Sequence, residues 1–309
     1  MFDFKTLDVY FKNQFVPYTE AHIGIANTAF LYGLGVFTGM RAHWNEIESQ
    51  LYIFRLEDHY KRFLMSCRMC MFEEFERDYT VEKFREALLA LLQRNSIQQD
   101  VYIRVSQFVD EESIGPKFGH YKSSLAIFLY PLGDYVPTNG MRCCVSSWRR
   151  VNDSALPARA KIVGAYVNTA FAKSEAARNG YDEAIVLDDE GHAVEGSAEN
   201  LFIVRDGVII TPPVTDNILE GITRKTVMTL ACDLGYAVVE RSIDRTELYF
   251  ADEVFLSGTG AKVSPVTEID GYAIGGGKIG AISACIQESY FNAVKGRQEK
   301  YKSWVLGVY

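Results

Sequence analysis

The 309-residue chain has no apolar run near the roughly 18 residues that a bilayer-spanning helix needs; its longest candidate, Leu125 to Tyr130, is strand-sized. Its first segment, MFDFKTLDVYFKNQF, carries charge in every turn and lacks the apolar centre of a secretion signal, so a cytoplasmic, soluble chain with no membrane partner is expected. Cysteine is scarce, with six residues, too few for a disulfide scaffold. Only Cys67 and Cys70 have metal-ligand spacing. They lie in the apolar stretch FLMSCRMCMF without a second such pair, which reads as two buried structural thiols. The five histidines form no H-x-x-x-H pair, and no metal is expected. An excess of basic charge is missing as well. With 32 Lys+Arg against 40 Asp+Glu the net charge is −8, the wrong sign for a nucleic-acid surface, although a local basic pocket is compatible with that sum. No low-complexity tract and no repeat of about 20 to 50 residues occurs, which removes solenoids and linker-rich arrays.

What is present is an ordinary globular composition, 48% hydrophobic and 23% charged, at a length that favours two packed domains. Gln50 to Phe54 reads as a strand, followed by a helix from about Glu57 to Met71 and a second from Val81 to Arg94 that buries Phe84, Leu88, Leu91 and Leu92. VYIRVSQFV and SSLAIFLY read as half-buried strands. PLGDYVPTNG then gathers two prolines, two glycines, Asp and Asn in ten residues, the best boundary in the chain. The expected division is 1–130, a small α/β domain; 131–140, a connecting loop; and 141–309, a larger antiparallel-rich domain. Beyond the boundary lie strand MRCCVSSW, a helix from about Val167 to Asn179, and a helix over Thr223 to Leu234 stopped by Gly235. Short strands turn at Asp189 to Gly191, at Asp206-Gly207 and at Asp270-Gly271. The fold class is α+β rather than a doubly wound parallel sheet.

Two glycine-rich segments do not carry nucleotide chemistry. In GLGVFTG, Thr38 stands where the third glycine of G-x-G-x-x-G belongs, and in the GGGK segment Tyr272 and Ile279 replace the first glycine and the Ser/Thr of a phosphate loop. There is no G-x-S-x-G elbow. Lys161 stands out instead, in ARAKIVGAYVNTAF, where small and apolar neighbours make a buried ammonium costly and lower its proton affinity, as a Schiff-base lysine requires. The alternative is a surface lysine at a strand end.

The company Lys161 keeps resembles the fold-type-IV pyridoxal-phosphate enzymes, and most closely the branched-chain amino acid aminotransferases. YGLGVFTGMR, FRLEDHYKRF, VYIR, SSWRR, AKIVGAYVN, GYDEAIVLDDEGHAVEGSAENLF, LEGITRK and FLSGTGAKVSPV follow one another in family order over nearly the whole chain. The resemblance implies a two-domain fold like that of D-amino acid aminotransferase. It also implies pyridoxal 5'-phosphate as cofactor, and Lys161 as the lysine that carries the cofactor and moves the substrate proton. By the same resemblance Tyr166 bonds the cofactor's 3-hydroxyl, and Glu195 pairs with its pyridine nitrogen. Arg62 grips its phosphate together with Ile222, Thr223 and Thr259. Arg55 is a competing arginine, read as a surface partner, and Thr223 also reads as a simple helix cap. Asn200 reads as a turn amide. Lys161, Glu195 and Thr259 are expected from the larger domain and Arg62 from the smaller.

On the substrate side the resemblance implies Tyr32, Phe37, Gly39, Arg41, Tyr102, Arg104, Gly260 and Ala261, with Tyr32 reaching across a dimer interface and Arg104 meeting the distal carboxylate of glutamate. The implied reaction moves the amino group of a branched-chain L-amino acid (Leu, Ile or Val) to 2-oxoglutarate, giving the 2-oxo acid and glutamate, in a homodimer or higher homo-oligomer. One departure is visible. After VYIR the chain runs VSQFVDEESIGPKFGH, and Asp110, Glu111 and Glu112 add three acids to a loop expected to face a neighbouring subunit's pocket. A D-amino acid or (R)-amine transaminase of the same fold, and a lyase of the aminodeoxychorismate type, stand as alternatives.

Overall fold

The computed structural model describes residues 3–309, which divide into two compact units. One is Met1–Gly133 with Ala160–Gly164 and Ala293–Tyr309; the other is Asp134–Arg159 with Ala165–Asn292.

The first unit contains, in order, β1 (Asp8–Phe11), β2 (Gln14–Pro17), α1 (Thr28–Tyr32), β3 (Gly35–Asn45), β4 (Gln50–Phe54), α2 (Leu56–Met69), α3 (Glu73–Asp78), α4 (Val81–Arg94), β5 (Val101–Val109) and β6 (Ser123–Tyr130). Its sheet runs β4-β3-β5-β6-β1-β2 and ends beyond β4 with the strand Val305–Gly307, every pair antiparallel. The twofold period of β3 sorts its side chains. Val36, Thr38, Met40 and Ala42 share the face that meets α2, as the Thr38 Oγ1 to His59 Nδ1 contact of 2.9 Å records. Phe37, Gly39 and Arg41 face the other way, and the register Gly39–Arg104 and Arg41–Tyr102 puts two residues of β5 on that same face. Five residues singled out in the sequence thus share one side of one sheet.

The sequence predicts Lys161 in the larger domain, whereas residues 160–164 pack with the first unit. β4 pairs with β3 only over Ala42 to Asn45, which leaves the start of that β3 edge open. Residues 161–164 fill it. Phe37 N–H donates to the Lys161 carbonyl at 2.9 Å, Val163 N–H to Gly35 at 2.8 Å and Gly164 N–H to Gly33 at 3.2 Å. Buried backbone groups need such partners, and that need outweighs proximity along the chain.

The second unit comprises β7 (Met141–Arg149), α5 (Tyr166–Arg178), β8 (Glu183–Leu187), β9 (Ala193–Gly196), β10 (Asn200–Arg205), β11 (Val208–Thr211), α6 (Ile222–Asp233), β12 (Val238–Glu240), β13 (Glu253–Gly258), β14 (Lys262–Ile269), β15 (Tyr272–Ala273) and α7 (Ala281–Val294). Its strand order is β12-β11-β10-β13-β14-β7-β8-β9, and the pairing Asn200–Glu195 brings β9 back to β10, so six strands close on themselves. Cys143, Ile185, Leu187, Leu201, Ile203, Val254 and Leu256 fill the interior; Cys144, Ala184 and Val186 face outward against Ala172 and Ala176 of α5. Asp206 and Gly207, with φ of 49° and 74°, join β10 to β11 as the two-residue turn their sequence predicts. Among the described residues no helix is long and apolar enough to cross a membrane.

Candidate active site

In the first unit, the Lys161 backbone is held on both sides. Its carbonyl accepts from Phe37, and its N–H donates to Ser66 Oγ at 3.1 Å. Its Nζ lies 5.1 Å from the centre of the Phe37 ring, and the Arg104 guanidinium stacks on that ring at 3.4 Å. On α2, His59, Arg62 and Ser66 fall at i, i+3 and i+7, one stripe of a helix. His59 is fully enclosed. Burial first, then the charges of Arg62, Lys161 and Arg55, hold its imidazole well below its usual range, so it is neutral. Arg55 pairs with Asp58 at 2.6 Å and lies over the Trp304 ring.

Gly39 has a spatial reason: a Cβ there would fall inside the Tyr102 phenol, so glycine gives that ring its place on the sheet. Arg41 is anchored by backbone carbonyls. Its guanidinium donates to the carbonyls of Leu132 and Gly133, both at 2.8 Å, and the residue is buried. Tyr32 closes α1 ahead of Gly33, whose φ of 68° needs glycine, and Phe30, Leu31 and Tyr32 are all exposed. Of the three acids in the loop, Asp110 pairs with Lys12 at 2.8 Å and accepts from Ser124 at 2.8 Å, while Glu111 lends its carbonyl to the Thr28 N–H and hydroxyl.

In the second unit, Glu195 is turned by a bulge. Ala193 opposes Leu187 inside the closed sheet, yet Glu195 opposes Val186, which faces out; the extra residue Val194 reverses the alternation. Bulges commonly re-aim one side chain in this way beside functional sites. Three donors converge on that carboxylate: Asn200 Nδ2 at 3.0 Å and Leu219 N–H at 2.9 Å on Oε1, and Arg150 Nε at 2.8 Å on Oε2. The Asn200 amide also donates to the Leu219 carbonyl at 2.9 Å, so it orients Glu195 rather than serving as a turn amide alone. Arg150 and Asn200 lie inside quoted motifs, SSWRR and GSAENLF, but only the fold reveals their common target.

Gly221 precedes α6, and a Cβ there would overlap Asn200 Oδ1. It is the N-cap, without a side-chain cap bond, so Thr223 lies inside the helix instead of capping it. Thr259, Gly260 and Ala261 form the turn from β13 to β14, with Tyr135 packed on Gly260. Tyr166 opens α5. Ser257 is fully buried, and its hydroxyl has no partner among the described residues; it stands in the cross-strand row Glu195–Asn200–Ser257.

Residues 35–269 match the family described as amino-transferase class IV. The chain belongs to that family. This class IV aminotransferase is 48% identical over 302 residues to a probable branched-chain-amino-acid aminotransferase of Aquifex aeolicus (strain VF5), covering 97% of this chain and 96% of that protein. Among solved structures it is similar to the branched-chain aminotransferase of the archaeon Thermoproteus uzoniensis with norvaline, with TM-score 0.92, 42% identity, and 98% and 99% of the two chains covered. It is also similar to the branched-chain amino acid aminotransferase of Thermobaculum terrenum in its PLP-bound holo-form, with TM-score 0.92, 35% identity, and 99% and 100% of the two chains covered.

Proposed function

We propose that this class IV aminotransferase uses pyridoxal 5'-phosphate to move the amino group of a branched-chain L-amino acid to 2-oxoglutarate. The observation that carries this reading is full-length likeness to branched-chain aminotransferases at up to 48% identity. The residues present fit the cofactor: α6 offers uncapped N–H donors suited to a phosphate, and the orphaned Ser257 hydroxyl shares a row with a carboxylate held by three donors. When bound, the cofactor supplies an electron sink that makes the substrate Cα–H acidic.

In this reading Lys161 would hold the cofactor through its aldehyde carbon, with loss of water, and would move the proton at substrate Cα. Glu195, steadied by Arg150 and Asn200, accepts from the pyridine nitrogen, and Tyr166 bonds the ring oxygen. Arg62, the N–H groups of Ile222 and Thr223, and Thr259 hold the phosphate. Phe37 and Tyr102 wall the side-chain pocket, Gly39 makes room for Tyr102, and Arg104 meets the distal carboxylate of glutamate. Gly260 and Ala261 take the substrate carboxylate. Arg41, anchored by the carbonyls of Leu132 and Gly133, stands on the same face of the sheet as Phe37 and Tyr102 and borders the substrate pocket. The reading includes cytoplasmic residence and a homodimer, in which the exposed Phe30, Leu31 and Tyr32 are covered and Tyr32 borders the neighbouring pocket.

Glutamate formation from leucine and 2-oxoglutarate tests it. Lys161→Ala should lose about a thousandfold or more in rate. Full turnover in that variant, or glutamate formed only from D-alanine or 1-phenylethylamine, would overturn the assignment.

A further inference from the structure

The three segments around Arg62 are tied into a closed circuit. Lys161 N–H donates to Ser66 Oγ at 3.1 Å. Helix α2 runs back from Ser66 to His59, whose Nδ1 lies 2.9 Å from Thr38 Oγ1. Thr38 follows Phe37 on β3, and Phe37 N–H donates to the Lys161 carbonyl at 2.9 Å, which completes the loop. Ser66, His59 and Thr38 are each at most 2% exposed, so water does not compete for these bonds. Ser66 Oγ donates to the Arg62 carbonyl at 3.0 Å, which leaves its lone pairs for the Lys161 N–H and fixes the rotor.

We propose that Ser66, with the Thr38–His59 pair, is a positioning element that sets the distance between the Lys161 backbone and the helix carrying Arg62. The inference rests on the proposed function, in which Lys161 and Arg62 would hold two groups of one cofactor, its aldehyde carbon and its phosphate. Spacing then matters because two groups of one small molecule have a limited reach, so a lysine that drifts from Arg62 would lose one contact or the other. A neutral His59 suits this task, since a third cation beside Lys161 and Arg62 would push all three apart.

The test uses holoenzyme and two variants, Ser66→Ala, which removes the acceptor, and Ser66→Thr, which keeps it. Hydrogen exchange of the peptide spanning 158–165, the rate of cofactor release, the pH midpoint of the bound cofactor's visible band, and kcat and KM for leucine are read together. In Ser66→Ala the Lys161 amide should exchange about tenfold faster. Cofactor release should quicken and kcat fall by about fivefold, the worth of one buried neutral hydrogen bond, with the band midpoint displaced and KM within about twofold. Ser66→Thr should restore all four. Unchanged exchange, release and kcat in Ser66→Ala, or a Ser66→Thr protein as impaired as Ser66→Ala, overturns the inference. Should Ser66→Ala fail to fold, Thr38→Val opens the same circuit at another corner, and wild-type exchange and release in it overturn the inference equally. Loss of colour on Lys161→Ala tests the cofactor assignment separately, so the two failures are distinguishable.

Discussion

Glutamine at position 199 isolates a stability term that depends on pH. Glu199 is 3% exposed beside Gly196 and Gly258, inside the closed sheet, and one of its oxygens accepts the Ala198 N–H at 3.0 Å. Burial, then the Glu183 charge, push its carboxyl up to about 8, against the opposing pull of the Ala198 N–H and Lys173. Because the folded value lies above the ordinary 4.5, the folded chain binds the extra proton. The associated stability is complete below about pH 4.5 and is lost progressively as pH rises to about 8. At about 1.4 kcal/mol per unit, roughly 3 to 4 kcal/mol of that loss falls between pH 5 and pH 8. Glu199→Gln keeps an acceptor for the Ala198 N–H and carries no charge, so its curve should lack this slope. Urea unfolding of both proteins at about pH 5, 6.5 and 8 measures the difference. The variant should match wild type within about 1 kcal/mol at the acid end and exceed it by about 3 kcal/mol at the alkaline end. Parallel curves would refute the reasoning.

Three further substitutions follow from the geometry. Gly39→Ala should displace the Tyr102 ring and cut kcat/KM for leucine by about tenfold or more while costing about 1 to 3 kcal/mol of stability; steady-state kinetics and thermal melts check both. Arg150→Met strips Glu195 of its charged partner, and should destabilise the protein by about 3 kcal/mol and speed cofactor release; a variant that melts and releases like wild type contradicts it. Gly221→Ala forces the Asn200 amide from Glu195, and should lower kcat at nearly constant protein yield, with a destabilisation of about 1 to 3 kcal/mol by denaturant midpoint.

Amphipathic elements were the legible part of the fold. α4 spans Val81–Arg94, β4 Gln50–Phe54, β5 Val101–Val109 and β6 Ser123–Tyr130, all with the bounds their patterns predict, because buried and more exposed positions alternate along α4 and β5 while β4 and β6 are short apolar runs. α2 starts one residue earlier than expected, at Leu56, and stops two earlier, at Met69. α3 went unread because it has six residues and one buried side chain, Phe75. α7, over Ala281–Val294, has no polar stripe to set its period apart. GLGVFTG is no nucleotide loop because its glycines belong to a helix end and to a strand buried on both faces, and Gly39 answers to Tyr102, a neighbour far along the chain. At the site, residue types were legible through the family's motif order, but their supports were not. The bulge at Val194, the Arg150–Glu195 pair and the Ser66–Lys161 bond all depend on strands and helices that meet only after folding.

The course of the chain bears on engineering by recombination. Because residues 160–164 complete an edge of β3, and the strand Val305–Gly307 completes the outer edge of β4, a fragment cut at Gly133 would expose two unpaired strand edges. A chimera that borrows the first unit from a relative must therefore transplant three separate stretches, with the lysine travelling on the shortest of them. An exchange at the apparent boundary near residue 133 would instead set the native lysine segment against a foreign β3 edge, and mismatch there would appear first as aggregation and only then as lost turnover.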